Sequence, residues 1–149
     1  MPGNVEIRYF FMKEENKKIL SGYRMQKAIE TLKDANIIFK SGHLHSCVNR
    51  IYYSIFYAVN ALLIRHGMYS AKHSGVRSLF NRELVNKGLI SGESGDFYNS
   101  MFENRQEGDY KDLPKFERKE VKNWLEQAGV FIKEVNKVLK SEVKSRNKK

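Results

Sequence analysis

Proline is nearly absent from this 149-residue chain, where it occurs only as Pro2 and Pro114. Proline interrupts helices more strongly than any other residue, and no stretch here alternates cleanly between apolar and polar residues as a half-buried strand would. Apolar residues instead recur at spacings of three and four, with glycines between the periodic stretches. The sequence therefore predicts an all-α fold, an antiparallel up-and-down bundle of about five helices.

The predicted helices cover about residues 23–40, 44–66, 74–87, 94–107 and 115–141. Ser21 is positioned to cap the first helix, while Gly42 and Gly67 follow the first and second helices as left-handed stops. Gly108 is expected to end the fourth helix, and Pro114 is suited to the first turn of the fifth.

The length of the chain fits one domain with a core large enough to need no disulfide. The bundle is predicted to span residues 21–141. Residues 1–20 form an N-terminal segment without an assigned structure, and residues 142–149 form a basic tail that we expect to be disordered.

The chain carries a formal net charge of +10, from 27 basic and 17 acidic residues. A surplus of this sign favours nucleic acid or an acidic protein as a partner. The alternative is a set of solvated charged faces without a specific ligand.

A single cysteine, Cys47, excludes an internal disulfide and fits a reducing compartment. The longest apolar stretch, residues 51–64, is interrupted by Ser54 and Asn60 and is too short to span a membrane. The first residues lack the pattern of a secretory leader. We therefore expect a cytoplasmic protein without a membrane partner.

The four histidines form no cluster with the spacing of metal ligands, and the glycine-bearing stretch KGLISGESG lacks the lysine and hydroxyl of a phosphate-binding loop. No serine or cysteine is recognisably placed beside a base. Neither a metal ion nor another cofactor is therefore predicted.

The second helix carries a polar strip as well as a broad apolar surface. Asn49, Arg50, Tyr53, Tyr57 and Asn60 fall on one side of it at helical spacing. These side chains could line a cleft for RNA or a nucleotide, with tyrosine rings for stacking and arginine for phosphate. They could equally form hydrogen bonds inside the bundle or across a dimer interface, which is the interpretation that we favour.

Three segments in this order, NRIYYSIFYAVNALL, AKHSGV and FENRQEGDY, resemble the HEPN domain family (higher eukaryotes and prokaryotes nucleotide-binding), especially its small stand-alone prokaryotic members. The resemblance covers about residues 23–140. It implies a helical bundle with an added short helix, which often forms a homodimer. It also implies a minimal nucleotidyltransferase as the partner in a toxin–antitoxin pair. Active members are metal-independent endoribonucleases with an arginine, four to six intervening residues and a histidine.

The resemblance places the family arginine at Arg105, but no histidine follows it. The corresponding positions hold Tyr110, Lys111 and Asp112. Arginine matches the geometry of phosphate oxygens, whereas histidine, with a pKa near 6.5, supplies the proton acceptor that RNA cleavage needs. Tyrosine is a poor base at neutral pH.

Two activities therefore remain as alternatives. The first is RNA or nucleotide binding with weak or no catalysis, and the predicted binding residues are Asn49, Arg50, Tyr53, Tyr57, Arg105 and Asp109. The second is a metal-independent endoribonuclease whose candidate catalytic residues are Arg105, Tyr110 and His73. A third possibility for Arg105 is a purely structural ion pair with Glu107 or Asp109.

Overall fold

The computed structural model describes the backbone of residues 7–9, 13–110 and 115–147, and the side chains of residues 13–105 and 115–142. The described part of the chain forms two short strands, five α-helices and a π-helical turn. In chain order these are β1 (Ile7–Tyr9), α1 (Glu14–Lys40), α2 (Leu44–Arg65), β2 (Met68–Ser70), α3 (His73–Leu79), the π-helical turn (Phe80–Val85), α4 (Gly92–Tyr110) and α5 (Arg118–Asn147). The predicted all-α fold is confirmed.

The helix α2 is the centre of the bundle and contacts α1, α4 and α5. Its apolar side chains are fully buried at Ile51, Ile55, Val59 and Leu62. Each side chain of this size stabilises the fold by about 1.5–3 kcal/mol when it is removed from water. The broad apolar surface of this helix in the sequence is therefore explained by packing on several sides.

Glycines end the first two helices as predicted. Gly42 has a φ of 86° and Gly67 a φ of 74°, values that only glycine adopts without strain. The short turn at Gly42 folds α2 back along α1, so that Cys47 faces the first helix and donates to the Ala35 carbonyl oxygen across 3.3 Å. Burial raises the pKa of the Cys47 thiol to about 11, so this cysteine is an unreactive core residue.

By length and composition alone, α2 could cross a membrane. However, 67% of its most apolar window is buried inside the bundle. That degree of burial is typical of a core helix, whose apolar residues are covered by protein.

The start of α1 differs from the prediction. This helix begins at Glu14 instead of near Tyr23, and Glu14 and Glu15 place negative charge in its first turn, where the helix dipole favours it. The predicted capping role of Ser21 is wrong. Ser21 is buried within α1, and its hydroxyl donates to the Ala61 carbonyl oxygen across 2.8 Å, which ties α1 to α2.

The later helices also differ at their ends. The predicted third helix is divided into α3 and the π-helical turn, and α4 continues through Gly108 to Tyr110. The prediction that Gly108 ends the fourth helix is therefore wrong. The fifth helix begins at Arg118, not near Pro114, and reaches Asn147, so it includes most of the segment predicted as a disordered tail.

Glu134 of α5 fixes the beginning of α4. Its carboxylate accepts hydrogen bonds from the backbone N–H of Ser91 at 2.7 Å, the Ser91 hydroxyl at 3.1 Å and the Ser94 hydroxyl at 2.6 Å. Burial alone would raise the pKa of Glu134, but these hydrogen bonds outweigh burial and hold the pKa below its ordinary value of 4.5. The charged form of Glu134 therefore stabilises the folded state.

We expect Glu134→Gln to lower the free energy of unfolding by about 1 kcal/mol at neutral pH, because hydrogen bonds to a charged group are the stronger ones. A lowered folded-state pKa means that the stabilisation is present above pH 4.5 and is lost as the pH falls through the folded-state value. Urea denaturation across this range measures the effect. The exposed Glu126→Gln is the control, and equal stability losses in the two variants at neutral pH would contradict the assignment.

Candidate functional site

An aromatic cluster joins the middle of α2 to the start of α3. It consists of Tyr52, Tyr53, Phe56 and His73. The His73 ring stacks on Phe56 with centroids 4.4 Å apart and planes at 16°, and it meets the edge of Tyr53 at 5.6 Å. Tyr52 is fully buried, whereas the other three are half-buried. The cluster therefore has a buried side in the core and a side that faces solvent.

The Tyr52 hydroxyl and Nδ1 of His73 are 2.7 Å apart. Burial raises the pKa of Tyr52 well above its ordinary value, and the nearby Arg105 charge offsets only part of this shift. The phenol therefore keeps its proton at neutral pH and is able to donate it to Nδ1, and which partner donates depends on the tautomer of His73. When Nδ1 accepts this hydrogen bond, the ring N–H of His73 lies at Nε2.

Arg105 lies over the same two tyrosines. Its Cζ atom is 5.2 Å from the centroid of Tyr52 and 5.8 Å from that of Tyr53. His73 contacts both rings as well. The structure therefore brings an imidazole and a guanidinium to one pair of tyrosines, although 31 residues separate them in the chain (74–104).

Three further cations lie over a ring of this cluster or over a ring that contacts it, since Tyr57 contacts Tyr53 and Phe102 contacts Tyr52. Arg50 lies 5.2 Å from the Tyr53 centroid, and Lys27 of α1 lies 4.8 Å from the Tyr57 centroid. Arg77 of α3 lies 4.1 Å from the Phe102 centroid and forms an ion pair with Glu103 at 2.7 Å. We call these side chains, together with Arg105, the cationic rim: Lys27, Arg50, Arg77 and Arg105.

The polar strip predicted on α2 is present and half-buried. Arg50 donates to the Asn49 side-chain oxygen at 3.1 Å, and among the described residues no carboxylate forms an ion pair with Arg50. Asn60 instead donates to the Phe56 carbonyl oxygen of its own helix. Arg50 and Arg105 both lie over Tyr53, whose ring centroid is 6.0 Å from that of Tyr57.

The remaining site predictions concern residues 107–110. Asp109 and Tyr110 belong to the backbone of α4, but their side chains, like that of Glu107, lie outside the described residues. Their predicted roles, including an ion pair with Arg105, stay predictions. Within the described ranges, no group of three or more histidine, cysteine, aspartate or glutamate side chains could hold a metal ion.

Sequence reasoning missed several members of the site. The residues not proposed are Lys27, Tyr52, Phe56, Arg77 and Phe102. One signal was available, because His73 and Arg77 are four residues apart and fall on one face of a helix.

Comparison with known proteins identifies the family of this all-α bundle, in which Arg105 lies beside an aromatic cluster. The HEPN domain family model matches residues 21–138, and the chain belongs to that family. A "UPF0332 protein" of Thermotoga maritima is 46% identical over 84% of this chain and 94% of its own length.

Two relatives from Methanocaldococcus jannaschii carry names that refer to toxins. The protein named "Putative toxin MJ0142" is 30% identical over 91% of this chain and 86% of its own length. The protein named "Putative toxin MJ0605" is 32% identical over 76% of this chain and 84% of its own length. The chain is thus a HEPN-domain protein with toxin-like relatives.

Proposed function

We propose that this protein is a HEPN-domain RNA-binding protein with a toxin-like role, and that it binds RNA with weak or no cleavage of its own. The observation that carries the proposal is the cationic rim around a half-exposed aromatic cluster. Aromatic faces bind unpaired bases by stacking, and arginine and lysine side chains bind the phosphates between those bases. The net charge of +10 favours the same ligand.

Single-stranded RNA fits the site better than a duplex. Tyr53, Tyr57 and His73 are half-buried side chains close to the four cations. A base that stacks on a protein side chain must have one of its own faces free. Inside an RNA duplex both faces of each base are covered by neighbouring base pairs. The site therefore favours loops, bulges and strand ends.

The hydrogen bond between Tyr52 and His73 supports weak cleavage. A general base must present a lone pair to the 2′-hydroxyl of the RNA. In the tautomer whose Nδ1 accepts from Tyr52, His73 carries its N–H at Nε2, which can donate to a phosphate oxygen but cannot take up a proton. In this arrangement His73 is a binding residue.

We also propose that the protein acts in the cytoplasm as a homodimer, and that its partner is a minimal nucleotidyltransferase. The toxin names of the two archaeal relatives and the family membership support a paired system. Co-expression of the chain with a nucleotidyltransferase encoded beside its gene, followed by co-purification, tests this part. Separate elution of the two proteins would contradict it.

Metal-independent endoribonuclease activity is the second candidate, because His73 and Arg105 share the Tyr52–Tyr53 pair. It requires the opposite tautomer, in which Nδ1–H donates to the Tyr52 oxygen and the lone pair lies on Nε2. Nε2 would then take the 2′-hydroxyl proton while the 2′ oxygen bonds to phosphorus. The bond to the 5′ oxygen would break, and that oxygen would take a proton from water. The products would be a 2′,3′-cyclic phosphate and a 5′-hydroxyl.

One experiment separates the two candidates. Purified protein is mixed with a short single-stranded RNA of mixed sequence, and both binding and cleavage are followed over a salt series. We expect binding whose logarithm falls linearly with the logarithm of salt concentration, by about 0.7 per phosphate contacted, and no cleavage that depends on Arg105. Salt-insensitive binding would contradict the proposed site. Cleavage that disappears in both Arg105→Ala and His73→Ala would establish the nuclease instead.

A further inference from the structure

A groove of about 600 Å³ lies on the surface between α1 and α5. Its α1 wall follows residues 18–29, about three turns of helix, and Leu139 and Lys140 belong to the α5 wall. Met25 and Ile29 contribute apolar surface, and Gly22 leaves room above the wall, since a Cβ added there would meet nothing within 4 Å. The groove has the length and shape that fit a helix of another protein.

Arg65 of α2 lines this groove, and its side chain is only 1% exposed. One of its terminal nitrogens, Nη1, donates to Glu14 Oε2 across 2.8 Å. The other two nitrogens, Nε and Nη2, are buried and have no hydrogen-bond partner among residues 13–105 and 115–142, whose side chains the structure describes. These two N–H groups point the same way along one edge of the guanidinium and match the two oxygens of a carboxylate.

The charge of the groove has one sign. Lys18, Arg65 and Lys140 line it, and no carboxylate is among its described lining residues. Buried donors without acceptors cost free energy, so an anion that reached Nε and Nη2 would be held strongly. Because both nitrogens lie beneath the surface, seating an anion requires a lining side chain to move, and the unbranched, adaptable Met25 is one of the lining residues.

We propose that this groove binds an acidic amphipathic helix of a partner protein. A carboxylate of that helix pairs with Nε and Nη2 of Arg65, and its apolar face packs on Met25, Ile29 and Leu139. At least one acidic residue of that helix is required for Arg65, and further acidic residues suit Lys18 and Lys140. This site is separate from the proposed RNA site, because Lys27 of the cationic rim lies on the opposite side of α1 from Gly22 and Met25.

The test is a selection from a displayed library of random 16-residue peptides on the full-length protein. We expect enrichment of peptides with apolar residues at helical spacing and at least one acidic residue between them. Replacing that residue by its amide should weaken binding to the wild type at least tenfold and should leave binding to Arg65→Met unchanged. Arg65→Met should fold, because Glu14 is half-exposed and remains hydrated.

A second variant keeps Arg65 intact. Gly22→Leu places a side chain into the groove and should reduce peptide binding at least tenfold, whereas the matched Asp34→Leu, on another face of α1, should not. Both should bind RNA as the wild type does. Peptides that lack acidic residues, or that bind Arg65→Met and Gly22→Leu as tightly as the wild type, would overturn the proposal. So would Arg65-dependent binding of decanoate with no enriched peptide, which would make the site one for small amphipathic anions.

Discussion

Alanine at Arg105 should lower RNA affinity about tenfold or more, alanine at Arg50 should do the same, and the double variant should lose about a hundredfold. A hydrogen bond to a charged group contributes about 1.5–3 kcal/mol, and 1.4 kcal/mol corresponds to a factor of ten. Both guanidiniums lie over Tyr53, at 5.8 and 5.2 Å, so they are placed to bind neighbouring phosphates of one strand.

The salt dependence gives this prediction a second readout. Each arginine that contacts a phosphate of single-stranded RNA should reduce the slope of log affinity against log salt by about 0.7 when it is removed. Arg82→Ala is the matched control, since Arg82 carries the same charge but lies beside Glu83 on the π-helical turn, outside the cationic rim. Equal losses in Arg82→Ala and Arg105→Ala would show that binding follows net charge alone.

The bundle could be predicted because its helices have regular apolar periodicity. The stripe along α2 requires cover on several sides, and the structure covers it with α1, α4 and α5. Local signals were less reliable where tertiary contacts compete with them. Ser21 has the chemistry of a helix cap, but a buried acceptor on α2, the Ala61 carbonyl oxygen, uses its hydroxyl.

The two short strands and the π-helical turn could not be predicted from the sequence pattern. The pairing of Ile7–Tyr9 with Met68–Ser70 involves three residues on each side, too few to show a period of two. The π-helical turn keeps the apolar spacing of a helix and differs only in its hydrogen bonds, such as the one from the Asn86 N–H to the Asn81 carbonyl oxygen at 2.9 Å.

Only part of the candidate site could be predicted from the sequence. Asn49, Arg50, Tyr53 and Tyr57 share one helix, so their proximity follows from helical spacing. His73 reaches the same place from another element, because α3 folds back against α2, and no local pattern reports that distance. The family resemblance directed attention to the residues after Arg105, whereas the imidazole beside the same tyrosines comes from an earlier helix.

The buried ring of Tyr52 connects the site to the core. Its outer contacts are His73 and Arg105, and its inner neighbours are Tyr98 and Phe102, with centroids 6.2 Å away in each case. The positions of the His73 ring and of the Arg105 guanidinium therefore depend on how α4 packs against α2. Damage to that packing should reduce stability and RNA binding together.

Tyr98→Ala should test this link. We expect it to lower the free energy of unfolding by about 3–5 kcal/mol, the largest loss among the variants proposed for this protein. Tyr98 is fully buried, and its ring packs against Phe80 at 4.6 Å and Phe131 at 6.1 Å as well as against Tyr52. Truncation would leave a cavity where three elements meet, next to the ring that orients His73 and Arg105. Chemical denaturation gives the stability, and RNA titration well below the unfolding transition gives the affinity.

The matched variant is Tyr98→Phe, which keeps the ring and removes only the hydroxyl. Burial raises the pKa of Tyr98 well above its ordinary value, so the hydroxyl is neutral and its removal takes away no charge. We expect a stability change below about 1.5 kcal/mol and unchanged RNA affinity, because the ring packing that positions Tyr52 is retained. If Tyr98→Ala instead lost stability while its folded fraction bound RNA like the wild type, the site would not depend on Tyr52, and the cationic rim alone would account for binding.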